Sequence, residues 1–471
     1  MGFNTSRRQL ISNGTATRIH DLALGILREI GVEVRDAEAL HTLRARGFRA
    51  NGSRLLVDPP VANGYVERMR GWIEQREPSP APERPDSITL SVSSYALYVH
   101  DLPTGSILPV TTPRLIEMCK LVDSLAGEGV VNAPPGIPTE VAPELQPLAQ
   151  YRIAANTARQ GAAPVDPTSA ATVNYLLDMA DVMGRPVRGL PVYVPSPLRL
   201  GGESLSVVLA CLDRLDEIWI SSMPAAGATA PLQPFGALAL ATAEVLGAAI
   251  LVHELTGKPA KFSINIFPLD LRFGSMVFGS PENLLFQMLC QDLNAFYGWQ
   301  WRPAPDNIHV MAKRPDAQAA AEKAAIMALG ASLGARHFSC AGTLSLDEIF
   351  SPEQLLLDCE VRDWVARCVR GVTLAQDEVD DWIAEIRAGL QRGFMGLDST
   401  LDHYKEQVWY PQRFERRAVG PWMAEGQPHL AERLREEVQR RIAGHEFALD
   451  RDRHDALDRI YQAAAAAAHR G

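Results

Sequence analysis

Residues 261–283 read KFSINIFPLDLRFGSMVFGSPEN, and the change of character along this stretch decides the fold. It starts as an apolar run suited to the middle of a sheet. It then meets Pro268, an acid at Asp270, a base at Arg272 and a Gly-rich loop before the next helix begins. Six other runs share this habit: GVVNAPPG (129–136), GAAPVDPT (161–168), GLPVYVPSPL (189–198), EIWISSMPAAG (217–227), YGWQWRPAP (297–305) and RHFSCAGTL (336–344). Amphipathic or apolar helices separate them, and strands alternating with helices require a parallel sheet covered by helices. Seven such runs, with no GxGxxG after the first, point to an α/β fold of the closed (β/α)8 or TIM barrel kind over a Rossmann sheet. Pattern alone does not place the eighth strand.

In a parallel barrel the C-terminal ends of the strands and the loops after them build the active site. Polar residues followed by proline recur at those ends: Asn132 before Pro134-Pro135, Asp166 before Pro167, Ser196 before Pro197, Ser222 before Pro224, and Trp299, Trp301 and Arg302 before Pro303. Pro268 comes just ahead of Asp270 in the same way. Each proline ends strand pairing and fixes the direction in which the loop leaves.

Around a barrel core at 110–345 the chain divides further. Residues 1–73 read as a helical segment in which Leu22, Ile26, Leu27 and Ile30 recur at helical spacing, with Gly31 and Gly47 where helices stop. Residues 74–109 combine a Pro-rich linker, EQREPSPAPERPDS, with a β-hairpin turning at Pro103-Thr104-Gly105. Residues 346–471 form a charged, C-terminal helical extension that completes the barrel.

Composition narrows the partners. With 471 residues, 46% apolar and 22% charged, the chain can bury a large core, and 46 basic against 56 acidic residues give a net charge of −10. That balance offers no footprint for nucleic acid or an anionic membrane. The N-terminus lacks the apolar core of a signal peptide, which points to a cytoplasmic protein. The most apolar stretch, GALALATAEVLGAAILVHEL (236–255), is interrupted by Glu244 and reads as a buried helix. Six cysteines with no CxxC pair and no zinc-like spacing imply reduced, buried thiols and no structural metal.

Several stretches carry a family likeness. The segment 229–288, which contains the opening quotation, resembles the trimethylamine methyltransferase family of corrinoid-dependent methyltransferases. So do KRPDAQAAAEKAAIMALGASLGA (313–335), SPEQLLLDCEV (351–361), IHDLALGILREIGVEV (19–34) and STLDHYKEQVWYPQRFERR (399–417). The resemblance runs through nearly the whole chain in order and implies a TIM barrel. Written entirely in ordinary residues, the sequence is similar to the branch without pyrrolysine, whose known members demethylate quaternary amines such as glycine betaine.

That chemistry sets requirements. A methyl group on a quaternary ammonium leaves behind a neutral amine, so no proton has to be supplied. The cobalt(I) of a corrinoid must instead reach the carbon in line, and positioning is most of the protein's task. The cation asks for a desolvated box of aromatic faces and a carboxylate. Trp299 and Trp301 share a face of one strand, Tyr193 and Trp219 lie in others, and Phe267 and Phe273 flank Asp270. These rings either line the box or fill the barrel core. Asp166 ends another strand, and Asp270 either faces the ammonium or pairs with Arg272 to brace its loop. Should the substrate carry a carboxylate, Arg272, Arg302, His309 and Arg314 are the loop groups able to meet it. Glu244, a charge inside an apolar helix, needs a partner. No residue is assigned a catalytic role.

Departures from the family pattern bear on the substrate. Ser339-Cys340 stands where a His is expected, and Ser399-Thr400 where relatives read His-Thr, with His403 nearby. Losing a proton donor suits a quaternary amine better than a tertiary one. The DxHxxG signature of a corrinoid-binding domain does not occur, and DRHDAL at Asp452 lacks its glycine. The chain is therefore expected to bind no cofactor itself. Its cobalamin or related corrinoid comes on a separate corrinoid protein that docks over the barrel mouth. The enzyme itself is expected to be a homo-oligomer. Two other classes stay open: a non-catalytic binder of methylated amines or of the corrinoid partner, and an unrelated barrel lyase or hydrolase.

Overall fold

The protein was analysed as a computed structural model that describes residues 9–75, 87–101, 103–131, 134–161, 165–299, 305–372, 374 and 379–468. Its α/β architecture rests on two parallel arcs. Glu217–Ser222 is the middle strand of the first, flanked by Gly189–Val194 and Ala260–Phe262, with Ile218 opposite both Leu190 and Ala260. Ile218 and Ile220 are buried, as a period of two requires when one face is packed. In the second arc Thr89–Val92 lies between Val130–Val131 and His337–Ala341. The last strand of the alternating region thus pairs with the first. Helices Thr112–Ser124, Gln146–Thr157, Val173–Val182, Glu203–Ala210, Pro234–Thr256, Pro281–Phe296, Ala317–Ser332 and Pro352–Arg370 follow in chain order.

Thr89–Val92 corrects the reading that began the barrel at 110 and gave 74–109 to linker and hairpin. The strand has only four residues, and its buried Ser91 interrupts what would otherwise be a plain apolar signal. The hairpin joins Tyr98–His100 antiparallel to Ile107–Pro109, and Gly105 adopts φ 65 in the turn. The N-terminal segment is also more than helical. Between its helices, Val32–Val34, Arg49–Asn51 and Arg54–Leu56 form an antiparallel sheet that Arg199–Leu200 extends in parallel. Each of the three N-terminal strands has three residues, too few for a period of two to register.

The Pro234–Thr256 helix is long and apolar enough to cross a membrane, but 83% of its most apolar window is buried inside the protein. Pro234 occupies its first turn, where a missing N–H costs nothing, and Gly257 closes it in the left-handed region at φ 72. The Asn13–Glu29 helix crosses it at Gly247, where an added Cβ would come within 2.6 Å of Leu27 and Val32 side-chain atoms. Glycine there permits the close approach.

The C-terminal helices Leu430–Ala443 and Arg451–Ala468 turn Leu434, Val438, Leu457 and Ala464 into the second of two core clusters. Charge fixes their seat. Arg413 reaches Glu437 at 2.7 Å and Glu128 at 3.4 Å, and buried Glu353 holds His100 and Arg435, each at 2.8 Å. Five cysteines are buried and Cys368 is half-buried, all with free thiols.

Candidate functional site

A cavity of about 1180 Å³ runs through the space between the arcs. At one end it is walled by residues on or just past the strand ends, where a parallel α/β sheet exposes its loops. Tyr95 comes from the loop after Thr89–Val92, Tyr193 from Gly189–Val194, and Phe267 from the strand inside the opening quotation. Phe278, Asp166, His309 and Asp347 complete this end.

Asp166 organises one wall. Its Oδ2 accepts a hydrogen bond from the Tyr193 phenol at 2.5 Å and another from the Tyr95 phenol. Burial, and then the Asp166 charge, push both phenols well above the ordinary tyrosine range, so both stay protonated and can donate. Each residue nonetheless keeps over two-fifths of its surface exposed, Tyr95 at 47% and Tyr193 at 43%, and both line the cavity. The result is a pair of electron-rich faces backed by one negative charge.

Another part of the lining is a cluster of rings. Phe267 and Phe278 lie 5.0 Å apart, and the His309 ring meets Phe278 edge-on at 5.4 Å. Burial, helped by the Lys323 charge, holds the His309 imidazole down to about 3, so it is neutral. Its Nε2 is buried without a hydrogen-bond partner. Asp347 is half-buried, and the loss of water pushes its carboxyl above the ordinary aspartate range. A desolvated carboxyl beside a cavity favours a cation as neighbour.

Behind the cavity, Lys323 and Asp358 are both fully buried and meet at 2.8 Å. Lys323 also donates to the Cys340 carbonyl at 3.2 Å, and Asp358 accepts from the Gly342 N–H at 2.7 Å. The pair pins the end of His337–Ala341, where Cys340 takes φ 71. Burial pushes the Cys340 thiol up to about 12, which leaves it protonated and a poor nucleophile. Among the described residues no three His, Cys, Asp or Glu side chains are grouped to hold a metal ion.

Of the residues singled out in the sequence, Asp166, Tyr193, Phe267 and His309 line the cavity, as does Ser339. Trp299 does not. It is 4% exposed, donates its indole N–H to the Phe262 carbonyl at 2.6 Å and stacks on Trp219 at 5.7 Å, with Lys261 lying 5.0 Å over the Trp219 ring. This packed pair corrects the expectation of a tryptophan wall built on Trp299. Asp270 and Arg272 are joined to each other, Nε to Oδ1 at 2.9 Å, and the Arg272 side chain is 80% exposed. Arg272 holds the Asp270 carboxyl below its ordinary range. They brace a loop outside the cavity lining, and Phe273 beside them is 78% exposed.

Arg314 donates to the Gly105 carbonyl at 3.5 Å and is likewise not in the lining. Trp301, Arg302 and Asn132 lie outside the described residues. Glu244 accepts from Ser196 Oγ at 2.9 Å and the Leu198 N–H at 2.8 Å, which gives the buried charge its partners. Ser399 bonds Glu385 at 2.8 Å and His403 is exposed, both far along the C-terminal helices rather than in the cavity lining. Sequence reasoning passed over Tyr95, Phe278 and Asp347. Tyr95 follows the strand that went unread, whereas Phe278 stood in the quoted stretch itself, four residues past the glycine of its loop.

A profile of the family described as trimethylamine methyltransferase (MTTB) matches residues 169–466, and the chain belongs to that family. The match takes in Tyr193, Phe267, Phe278, His309 and Asp347. The chain is 27% identical over 274 residues to trimethylamine methyltransferase MttB of Methanosarcina thermophila, a match covering 57% of this chain and 55% of that protein. It thus spans about half the length of the trimethylamine methyltransferases it matches. It is 24% identical over 440 residues to glycine betaine methyltransferase of Desulfitobacterium hafniense (strain Y51), covering 90% of both chains. With proline betaine:corrinoid methyltransferase of Eubacterium limosum it shares 22% identity over 489 aligned positions, covering 95% of this chain and 96% of the other.

Proposed function

We propose that this protein is a methyltransferase that moves a methyl group from a quaternary, betaine-like amine to cobalt(I) of a corrinoid carried by a separate protein. The observation that carries the reading is the Asp166 carboxylate with its two phenols, Tyr95 and Tyr193, lining the same cavity as Phe267 and Phe278. Aromatic faces attract a quaternary ammonium through the ring quadrupole, and the attraction grows where water is excluded. Asp166 and Asp347 add negative charge without a bond to the substrate. Family membership and the coverage of two betaine methyltransferases support the reaction class.

The residues divide the work as the chemistry requires. A quaternary nitrogen departs as a neutral amine, so the site needs no acid, and neutral His309 is consistent with that. A tertiary amine would need a proton on its nitrogen to leave as readily, which makes it the less suited donor. The chain's own task is to hold the cation, exclude water and leave one methyl facing outwards. The corrinoid enters on the partner as the methyl acceptor, at the end of the cavity where Met223 is exposed, and no group of this chain is assigned to hold it. The two parallel arcs, with first and last strands paired, support one closed (β/α)8 barrel preceded by the N-terminal segment and followed by the helical extension.

Incubating the purified chain with free cob(I)alamin and, in turn, glycine betaine, proline betaine and trimethylamine tests the reading through the absorbance of the cobalt. Methyl transfer from a betaine, faster than from trimethylamine, is expected. Thermal stabilisation by a betaine with no methyl transfer to cobalt would instead make the protein a binder.

A further inference from the structure

The cavity also reaches the opposite ends of two strands, and there its lining is polar. Thr89–Val92 and His337–Ala341 run side by side, with His337 opposite Thr89 and Ser339 opposite Ser91. Leu90 and Phe338, on one face of this pair, are fully buried. The other face carries Thr89, Ser91, His337 and Ser339, where a barrel is ordinarily filled by branched apolar side chains. His337 is exposed even though Thr89–Val92 flanks its strand on one side and Asn307 bridges to Ser339 on the other; the space it faces is the cavity. Its imidazole lies between two hydroxyls, Nδ1 at 2.8 Å from Thr89 Oγ1 and Nε2 at 3.0 Å from Ser91 Oγ. An imidazole accepts at one nitrogen at most, so at least one of these hydroxyls keeps its hydrogen for a partner other than the ring. Arg336 adds a positive charge to this part of the lining and Asp306 a negative one.

We propose that the His337 end holds the carboxylate of the substrate whose ammonium sits at the Asp166 end, so that the substrate is a long-chain betaine; this rests on the cation reading given above. The polarity of the cavity suits that alignment, with Asp166 and Asp347 near the ammonium and His337, Arg336 and the two hydroxyls near the carboxylate. Strand register gives the length. His337 to Ser339 is two residues, and Asn307, which bridges Ser339, is two more from His309, whose ring meets Phe278. Four residues of extended chain span about 13 Å at roughly 3.3 Å each. Contacts of about 3 Å at either end leave about 7 Å for the ligand. An extended chain gains about 1.2 Å per bond, so about three or four carbons between nitrogen and carboxylate fill the gap. Glycine betaine, with a single carbon there, reaches only one end. A tail directed into the barrel also leaves a methyl group facing the end where Met223 is exposed.

Calorimetric titration of the full chain with unbranched trimethylammonio acids of increasing spacer length reads the outcome, with the matching trimethylammonio alcohols as uncharged controls. Affinity is expected to peak at a spacer of about three or four carbons, about tenfold or more above glycine betaine and above the alcohol of equal length. His337→Ala should weaken binding of the best acid by about tenfold and leave tetramethylammonium, which does not reach that end, bound as in wild type. Retained tetramethylammonium binding also shows that the variant is folded; should it misfold, the spacer series on wild type decides alone. Affinity that is flat along the series, or highest for glycine betaine, overturns the inference. So does a His337→Ala variant that binds the best acid as tightly as wild type. In both of these cases tetramethylammonium still binds and the cation reading stands, whereas wild type that fails to bind tetramethylammonium overturns that reading and the inference with it.

Discussion

Two aromatic clusters in this fold put their polar atoms to opposite uses. In the Trp219–Trp299 pair, the Trp299 indole N–H is spent on the Phe262 carbonyl and the rings face each other, so Trp299 keeps 4% of its surface. In the Tyr95–Asp166–Tyr193 trio, both phenols converge on one carboxylate, both tyrosines keep over two-fifths of their surface exposed, and both line the cavity. A ring whose polar atom closes onto backbone has become part of the scaffold. A ring tied by its edge to a charge, with its face open, is free to meet a cation. The difference separates what holds the site in place from what the site offers a ligand.

Trp299→Ala should produce the largest change, and only in stability. Emptying a buried indole site costs about 4 kcal/mol, so chemical denaturation should show a much lowered midpoint, while ligand affinity measured below that midpoint stays as in wild type. A ligand affinity that falls in step with stability would erase the distinction between the clusters.

The pH response comes next. His309 is held near 3 when folded against an ordinary 6.5, so between those values the unfolded chain binds the extra proton. Its contribution is therefore complete above about pH 6.5 and is lost as pH falls towards 3; acidifying from pH 7 to pH 4 should cost of the order of 3 kcal/mol. Denaturation midpoints of wild type and His309→Gln across this range should diverge, with the variant showing the shallower slope. Parallel slopes would remove His309 from the buried wall.

The smallest effect belongs to Arg272→Ala. Arg272 is 80% exposed, and its contacts with Asp270 and the Phe273 ring stay within its own loop, so stability should shift by less than about 0.5 kcal/mol and affinity for a quaternary amine not at all. A marked loss of affinity would bring that loop into the site.

Much of the architecture was legible because strand, proline-marked loop and helix repeat as a unit, and because whole stretches resemble a known family. Thr89–Val92 escaped because four residues with a buried serine at the third position carry little period, and with it went Tyr95, the ring that depends on that strand for its position. Asp166 and Tyr193 were legible as strand-end residues, but their meeting through one oxygen is tertiary. Trp299 and Trp301 share a face by period alone, and period does not say whether the face looks into a cavity or into neighbouring side chains. For Asp270 and Arg272, two residues apart, local pairing was one of the two roles already in view.

The measurement closest to the central claim is calorimetric titration of tetramethylammonium, a bare quaternary cation, into wild type and Asp166→Asn. Saturable one-site binding to wild type is expected, weakened by about tenfold to a hundredfold in the variant as the charge behind the two phenols is removed. Equal affinity in the two proteins, or no binding to wild type, would contradict a cavity built around a methylated cation.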